Sequence, residues 1–305
     1  MLICTGSIGI DTTRTPAHTA ERVLGGSGAY FCLAARFFAP VALVSVAGND
    51  LPQQFLKTIA AKGKVDISGV QRDLAHKNFF FDSSFGSDLG ERKVNAVEPN
   101  ALAHFQPIVP PKIAARATHL YLATMPPAVQ LELLRQTPNA VLTVMDTIAN
   151  YIETDRQGVL KVISSVDGVV LNESEARLIT GQANLLKAGK TLLAFGPKFA
   201  VIKKGEHGSL IFIGDYCYPM PAFPLEQVLD PTGAGDSFAG GLMGWLTKNK
   251  IGRDNLDASN LKRAVAFATV MGSFAVEKFS VERLLELSKQ DVQKRVREYK
   301  ALLKL

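Results

Sequence analysis

The residues best suited to chemistry lie in one stretch, Asp230-Pro231-Thr232-Gly233-Ala234-Gly235-Asp236-Ser237-Phe238-Ala239-Gly240-Gly241. Its first half is polar and glycine-rich, and its second half opens an apolar helix. Glycines without a Cβ let a ligand approach the backbone. Free N–H groups at a helix start face a polyanion, and the helix dipole has the right sign. A carboxylate there would repel a static phosphate. It suits a reaction in which Asp236 takes a proton from an attacking oxygen while backbone donors and Mg²⁺ neutralise the phosphate. The plainer reading is a helix cap, with Thr232 or Asp236 closing the first turn and the glycines making a tight bend.

Such a loop needs rigid elements behind it. Short apolar runs at 2–10, 41–46, 119–122, 141–145, 168–171 and 199–202 read as strands. Helical patterns at 29–38, 52–61, 127–135, 173–180 and 185–195 lie between them. Alternation of this kind predicts an α/β fold with a doubly wound, mainly parallel sheet and helices on both faces. Strands with little polar alternation imply burial on both faces. Two hairpins break the rhythm, one at 79–85 and 91–97 around a turn at 86–90, the other at 210–219 around Gly214-Asp215. The first hairpin suits a small projecting sheet with 12–15 or 22–24, either as edge decoration or as a lid. The last third reads as helices at 235–246, 261–277 and 281–303. The chain is read as one domain, 1–305, with a small β lid from about 12–24 and 78–97.

Composition sets the outer limits. The chain has 305 residues, 47% of them hydrophobic and 20% charged, which is ordinary globular material. Its net charge of +6 comes from 34 basic against 28 acidic residues. The densest charge run, 289–304, alternates in sign and reads as a solvated helix face rather than a nucleic-acid site. Three cysteines, Cys4, Cys32 and Cys217, suggest neither a disulfide framework nor a zinc motif. No apolar run approaches transmembrane length and no leader pattern opens the chain, so the cytoplasm is the expected compartment, without membrane or nucleic-acid partners. Ala188-Gly189-Lys190-Thr191 hints at a Walker A loop, but Asn184 stands where that motif needs glycine.

Several further elements accompany the glycine-rich string. They are Gly25-Gly26-Ser27-Gly28-Ala29-Tyr30, Gly48-Asn49-Asp50, Asn172-Glu173-Ser174-Glu175 and Lys203-Lys204-Gly205-Glu206-His207-Gly208. In this order they resemble the signatures of the ribokinase-like (PfkB) carbohydrate kinase family, and the resemblance spans nearly the whole chain. It implies that Asp236 is a catalytic base and that Gly233, Ala234 and Gly235 form the anion hole. It implies that Asn172 and Glu175 organise Mg²⁺ through water, and that Lys204, Gly205 and Thr232 border the ATP site. Asp11, Gly25 and Gly26 lie where the family holds substrate hydroxyls. The segment 264–273 lies where it surrounds adenine and places a monovalent cation such as K⁺. The 79–97 hairpin resembles its lid, whose apolar Phe79 and Phe81 suit a homodimer contact.

From the residues alone, each role has a rival. Asn172 and Glu175 also fit a helix cap, Asp11 a strand-end turn, and Lys204 a solvated lysine. The family's first signature usually ends in Asn, and here that position is Tyr30. A phenol there could stack on a sugar or base, or simply pack the helix. The expected activity is ATP-dependent phosphorylation of a sugar hydroxyl. A nucleoside kinase on the same scaffold is the alternative, and a non-catalytic sugar or nucleotide sensor a third reading.

Overall fold

The computed structural model describes residues 1–304 except 62, 88 and 91. Asp88 of the expected turn and Glu91 at the expected start of its second strand lie outside the described residues.

The architecture follows from strands that are apolar on both sides. In β1 (Leu2–Thr5), Leu2 and Cys4 enter one cluster with the helices Ser27–Ala35, Ala234–Lys248 and Ala258–Ala275. Ile3, between them, enters a second cluster with the helices Pro127–Gln136, Arg156–Ile163 and Glu173–Thr180. Side chains alternate across a strand, so two covered faces require two helical layers. The other described strands are β2 (Gly9–Arg14), β3 (Thr19–Gly25), β4 (Val41–Ala47), β5 (Val65–Arg72), β6 (Phe80–Phe85) and β7 (Arg92–Glu98). They continue with β8 (His119–Leu122), β9 (Leu142–Met145), β10 (Gly168–Asn172), β11 (Phe199–Lys203), β12 (Ser209–Ile213) and β13 (Tyr216–Met220).

The large sheet runs β13-β12-β11-β10-β9-β8-β1-β4-β5. From β11 to β5 every pairing is parallel, and β12 and β13 add an antiparallel edge. Strand order reverses beside β1, and the crevice at the carboxyl ends of such strands is where ligands of open α/β sheets bind. A separate small sheet runs β3-β2-β6-β7, with β2 and β6 parallel. Among the described residues, no helix is long and apolar enough to cross a membrane.

Some elements differ from the sequence expectation. The apolar run 2–10 is two strands in two sheets, because the chain leaves the large sheet at Gly6. A Cβ on Gly6 would sit 2.6 Å from the amide nitrogen of Gly28. Ser7 and Ser27 then exchange amide-to-hydroxyl bonds of 3.2 and 3.1 Å, fixing the crossing against the start of the helix. The run 281–303 is two helices, Glu282–Glu286 and Lys289–Leu302, since Ser288 caps the second in a reciprocal capping box with Asp291. β5 was not anticipated, because only Val65 and Gly69 in it are buried and its polar residues hide the pattern.

The helices Ser27–Ala35 and Ala234–Lys248 cross without a side-chain spacer. A Cβ on Gly240 would lie 2.5 Å from the Phe31 carbonyl oxygen, and one on Gly244 would lie 2.8 Å from Phe38. Gly240→Val is therefore expected to cost about 1–3 kcal/mol by overpacking. Chemical denaturation measures that loss. Activity should fall further than stability predicts, because the displaced helix carries the site.

Candidate active site

The site begins at an uncapped helix. Gly233 takes φ 75° and ψ 0°, and the helix Ala234–Lys248 that follows has no side-chain cap. The cap reading of Thr232 and Asp236 is thereby excluded. Instead the Thr232 amide donates to Asp230 Oδ1 at 2.8 Å, bracing the loop from beneath. A side chain at 233 would be strained by its φ and would also strike Tyr30, whose ring carbons come within 2.3 Å of the Cβ position. The Ala234 amide donates to the Pro231 carbonyl at 3.2 Å, and the amides that follow, without a side-chain cap, are suited to an anion.

Asp236 stands in the first turn of this helix, half-buried. Burial is the main cause that raises its carboxyl to about 6; Asp146 raises it further, while Lys203 and Arg92 oppose the rise. Such a group is ionised at neutral pH yet basic enough to take a proton. Asp146, just past β9, pairs with Lys203 at the end of β11, Nζ to Oδ2 at 2.8 Å. Burial lowers the Lys203 ammonium's affinity for its proton, but Asp146 and Glu175 outweigh it and raise its pKa overall.

Asp11, on β2, is 5% exposed, and its Oδ1 has no hydrogen-bond partner among the described residues. Burial raises its pKa to about 7, against the opposing Gly26 amide. Gly25 and Gly9 make room for this carboxylate: a Cβ on Gly25 would lie 1.8 Å from Asp11 Oδ2 and one on Gly9 2.4 Å from Oδ1, whereas one on Gly26 would strike the backbone of Gly9 and Ser7. An orphaned buried oxygen of this kind is fitted to a donor such as a ligand hydroxyl. Tyr30 is 2% exposed and packs its ring on Gly233. Its phenol is pushed well above the usual range by burial and by Asp230, Asp11 and Asp236.

Asn172 and Glu175 form a full capping box, with the Glu175 amide on Asn172 Oδ1 and the Asn172 amide on Glu175 Oε2, both at 2.8 Å. Burial pushes Glu175 up to about 8. Among the described residues no cluster of three His, Cys, Asp or Glu side chains could hold a metal directly. Asn172 Oδ1 and Glu175 Oε2 already accept the amides of the box, so these residues would reach Mg²⁺ through water. Lys204 and Gly205 lie in the turn between β11 and β12, with Gly205 exposed at φ 55°. No hydrogen bond or ion pair links them to the Gly233 loop among the described residues. The segment 264–273 lies in the helix Ala258–Ala275, where Gly272 approaches the Ala234 carbonyl.

Sequence reasoning missed Asp146, Lys203 and Arg92. A usable signal existed for the first two: each is the first charged residue at the carboxyl end of a buried parallel strand. Arg92 carries no such mark. It stands on β7, its guanidinium 5.1 Å from the Phe81 ring, and its charge acts on Asp11, Glu175 and Asp236.

Known proteins match the chain along most of its length. The family model described as pfkB family carbohydrate kinase matches residues 2–286. A cytidine kinase of Thermococcus kodakarensis is 32% identical over 82% of this chain and 89% of its own length. A fructokinase of Klebsiella pneumoniae is 28% identical over 75% of this chain and 77% of its own. A Burkholderia thailandensis nucleoside kinase solved with inosine shares the fold, at TM-score 0.77 and 18% identity, over 99% of both chains.

Asp11 yields a prediction on stability. Its folded pKa of about 7 exceeds the unfolded value of 3.8, so the protonated form is the one folding favours. Its contribution is full below the unfolded pKa and is lost as pH rises through about 7. The unfolding free energy of Asp11→Asn, relative to wild type, should therefore improve between pH 5 and pH 8, measured by urea titration without substrate. Substrate affinity should fall at the same time.

Proposed function

We propose that this chain, which belongs to the pfkB family of carbohydrate kinases, transfers the γ-phosphoryl group of ATP to the primary hydroxyl of a nucleoside. The family makes it an ATP-dependent phosphotransferase with an alcohol acceptor. The observation that carries the reading is the uncapped start of the Ala234 helix with Asp236 in its first turn. The likeness to a cytidine kinase at 32% identity supports a nucleoside over the free sugar expected from sequence. The fructokinase relative keeps a furanose sugar as the second reading.

In this reading the hydroxyl oxygen attacks γ-phosphorus in line. Its proton passes to Asp236, and the bond from γ-phosphorus to the bridging oxygen breaks to release ADP. The amides after Gly233 hold the charge of the transferring group, and their fixed dipoles need no reorganisation. Asn172 and Glu175 would organise Mg²⁺ through water, and the ion would supply charge neutralisation on the phosphates when bound. Asp11 receives hydroxyls of the acceptor, and its orphaned Oδ1 supports that role. Tyr30 supports the loop beneath them. Lys204, Gly205 and the 264–273 helix border the nucleotide. The small sheet closes over the acceptor and excludes water.

Two copies of the chain pair through the small sheet, where Val94 and Val97 are each 48% exposed on the edge strand β7. Light scattering should then give twice the monomer mass, and Val94→Lys with Val97→Lys should halve it.

A coupled ADP-release assay over a panel of nucleosides and sugars tests the main proposal. Pyrimidine nucleosides should give the highest kcat/KM. The acidic limb of the profile should fall near the pKa of Asp236, about 6, with activity lost below it. Replacing K⁺ by choline should lower the rate if a monovalent cation is needed. Asp236→Asn should reduce kcat at least about 10²-fold with the fold intact. Near-normal turnover in that variant would remove the assigned base.

A further inference from the structure

Lys203 brings a cation to the positive start of a helix, drawn there by the carboxylates of Asp146, Glu175 and Asp236. Its ammonium lies 3.1 Å from the position a Cβ on Gly235 would take, and Gly235 is in the first turn of the Ala234 helix. The start of a helix carries partial positive charge and favours anions, not lysines. The ammonium is nevertheless anchored there. Asp146 Oδ2 accepts from Nζ at 2.8 Å, and the two side chains are only 16% and 6% exposed. Asp146 is fixed in turn: its Oδ1 accepts from the Thr147 amide at 2.8 Å, and its Oδ2 accepts from the Tyr121 hydroxyl at 3.3 Å. Gln130 Nε2 also donates to the Asp146 carbonyl at 2.9 Å. A cation held rigidly beside a positive helix end is reasonable if an anion comes between them.

We propose that Lys203 contacts the phosphoryl group being transferred, and that Asp146 is the residue that positions it. The proposal rests on the phosphoryl-transfer reading of the Gly233–Asp236 turn. In the resting protein Asp146 holds the ammonium. When the phosphoryl group enters the amide cradle, the ammonium is shared between Asp146 and the phosphoryl oxygens. Gly235 is the residue that leaves the path between them open. Lys204, the next residue, has no comparable link to the cradle.

The same ammonium acts on the proposed base. Asp236 faces Asp146 from β9, Lys203 from β11 and Arg92 from β7. Its charge is felt in turn by Asp11 on β2, Cys4 on β1, Tyr30 on the Ser27 helix and Tyr121 on β8. Of these groups only Lys203 and Arg92 favour the ionised carboxylate.

The test compares Lys203→Met, which keeps the length and removes the charge, with Lys203→Arg. In Lys203→Met, kcat should fall about 10²-fold, as for loss of a transition-state donor. The acidic limb of kcat/KM should also move to higher pH. Lys203→Arg should recover part of kcat and return the limb toward its wild-type position. Asp146→Asn, nearly the same in shape, should lower kcat and move the limb the other way, to lower pH, because Asp146 raises Asp236; it replaces Lys203→Met if that variant does not fold. A kcat within about threefold of wild type, or an acidic limb that superimposes on the wild-type one, would overturn the proposal. A wild-type profile without any acidic limb would instead strike at Asp236 as base, so the two failures are distinguishable.

Discussion

Amides at the start of the Ala234 helix lack a cap of their own, and the site is organised around them. Leaving a helix end bare within a cleft costs stability unless a ligand or water covers it. The turn that presents these amides is held by packing: Gly233 bends to φ 75° against the Tyr30 ring, and Asp230 ties the Thr232 amide beneath. Tyr30, read from sequence as either a ligand platform or a packing residue, is buried in the second role. Its ring sets the height of the turn.

Around that turn the chain collects acidic groups that burial disfavours. Asp11, Glu175 and Asp236 are all raised by desolvation, and Asp146 raises both Glu175 and Asp236 further. Such a cluster lowers the stability of the empty protein. The two apolar layers on either face of the large sheet offset it. Function and stability therefore pull on the same few residues in opposite directions, as they do where sites are preorganised.

How much of this was legible in the sequence depends on how local each feature is. The glycine-rich turn could be read because one short segment carries both the bend and the amides. The parallel sheet could be read because strands covered on both faces are apolar throughout. Residues 2–10 misled because hydrophobicity does not mark the change of sheet; Gly6 and the Ser7–Ser27 bonds do, and these are visible only when residues twenty apart meet. Ser288 was a legible cap inside 281–303, overridden by the amphipathic pattern around it. Asn172 and Glu175 form the capping box that their local spacing offered. Asp146 and Lys203 each carry a strand-end mark, but they lie 57 positions apart, so their pairing is visible only when the sheet aligns their ends.

The two sheets divide the work, and the joint between them limits how the small one can move. Asp11 belongs to the small sheet, whereas Asp236 belongs to a helix packed on the large one. Asn78 fastens the joint: its amide donates to Asp50 Oδ1 at 2.6 Å, and its Nδ2 donates to the Ile8 carbonyl at 2.9 Å. The Gly48 amide donates to Asn78 Oδ1 at 3.1 Å, and a Cβ on Gly48 would lie 2.2 Å from the Asn78 nitrogen. The Gly48-Asn49-Asp50 element is thus a clamp on the base of the small sheet. Its base strand cannot swing without breaking several buried bonds at once, each expensive to leave unmade. The far end of β6 and β7, where Arg92 pairs with Phe85, lies outside this clamp.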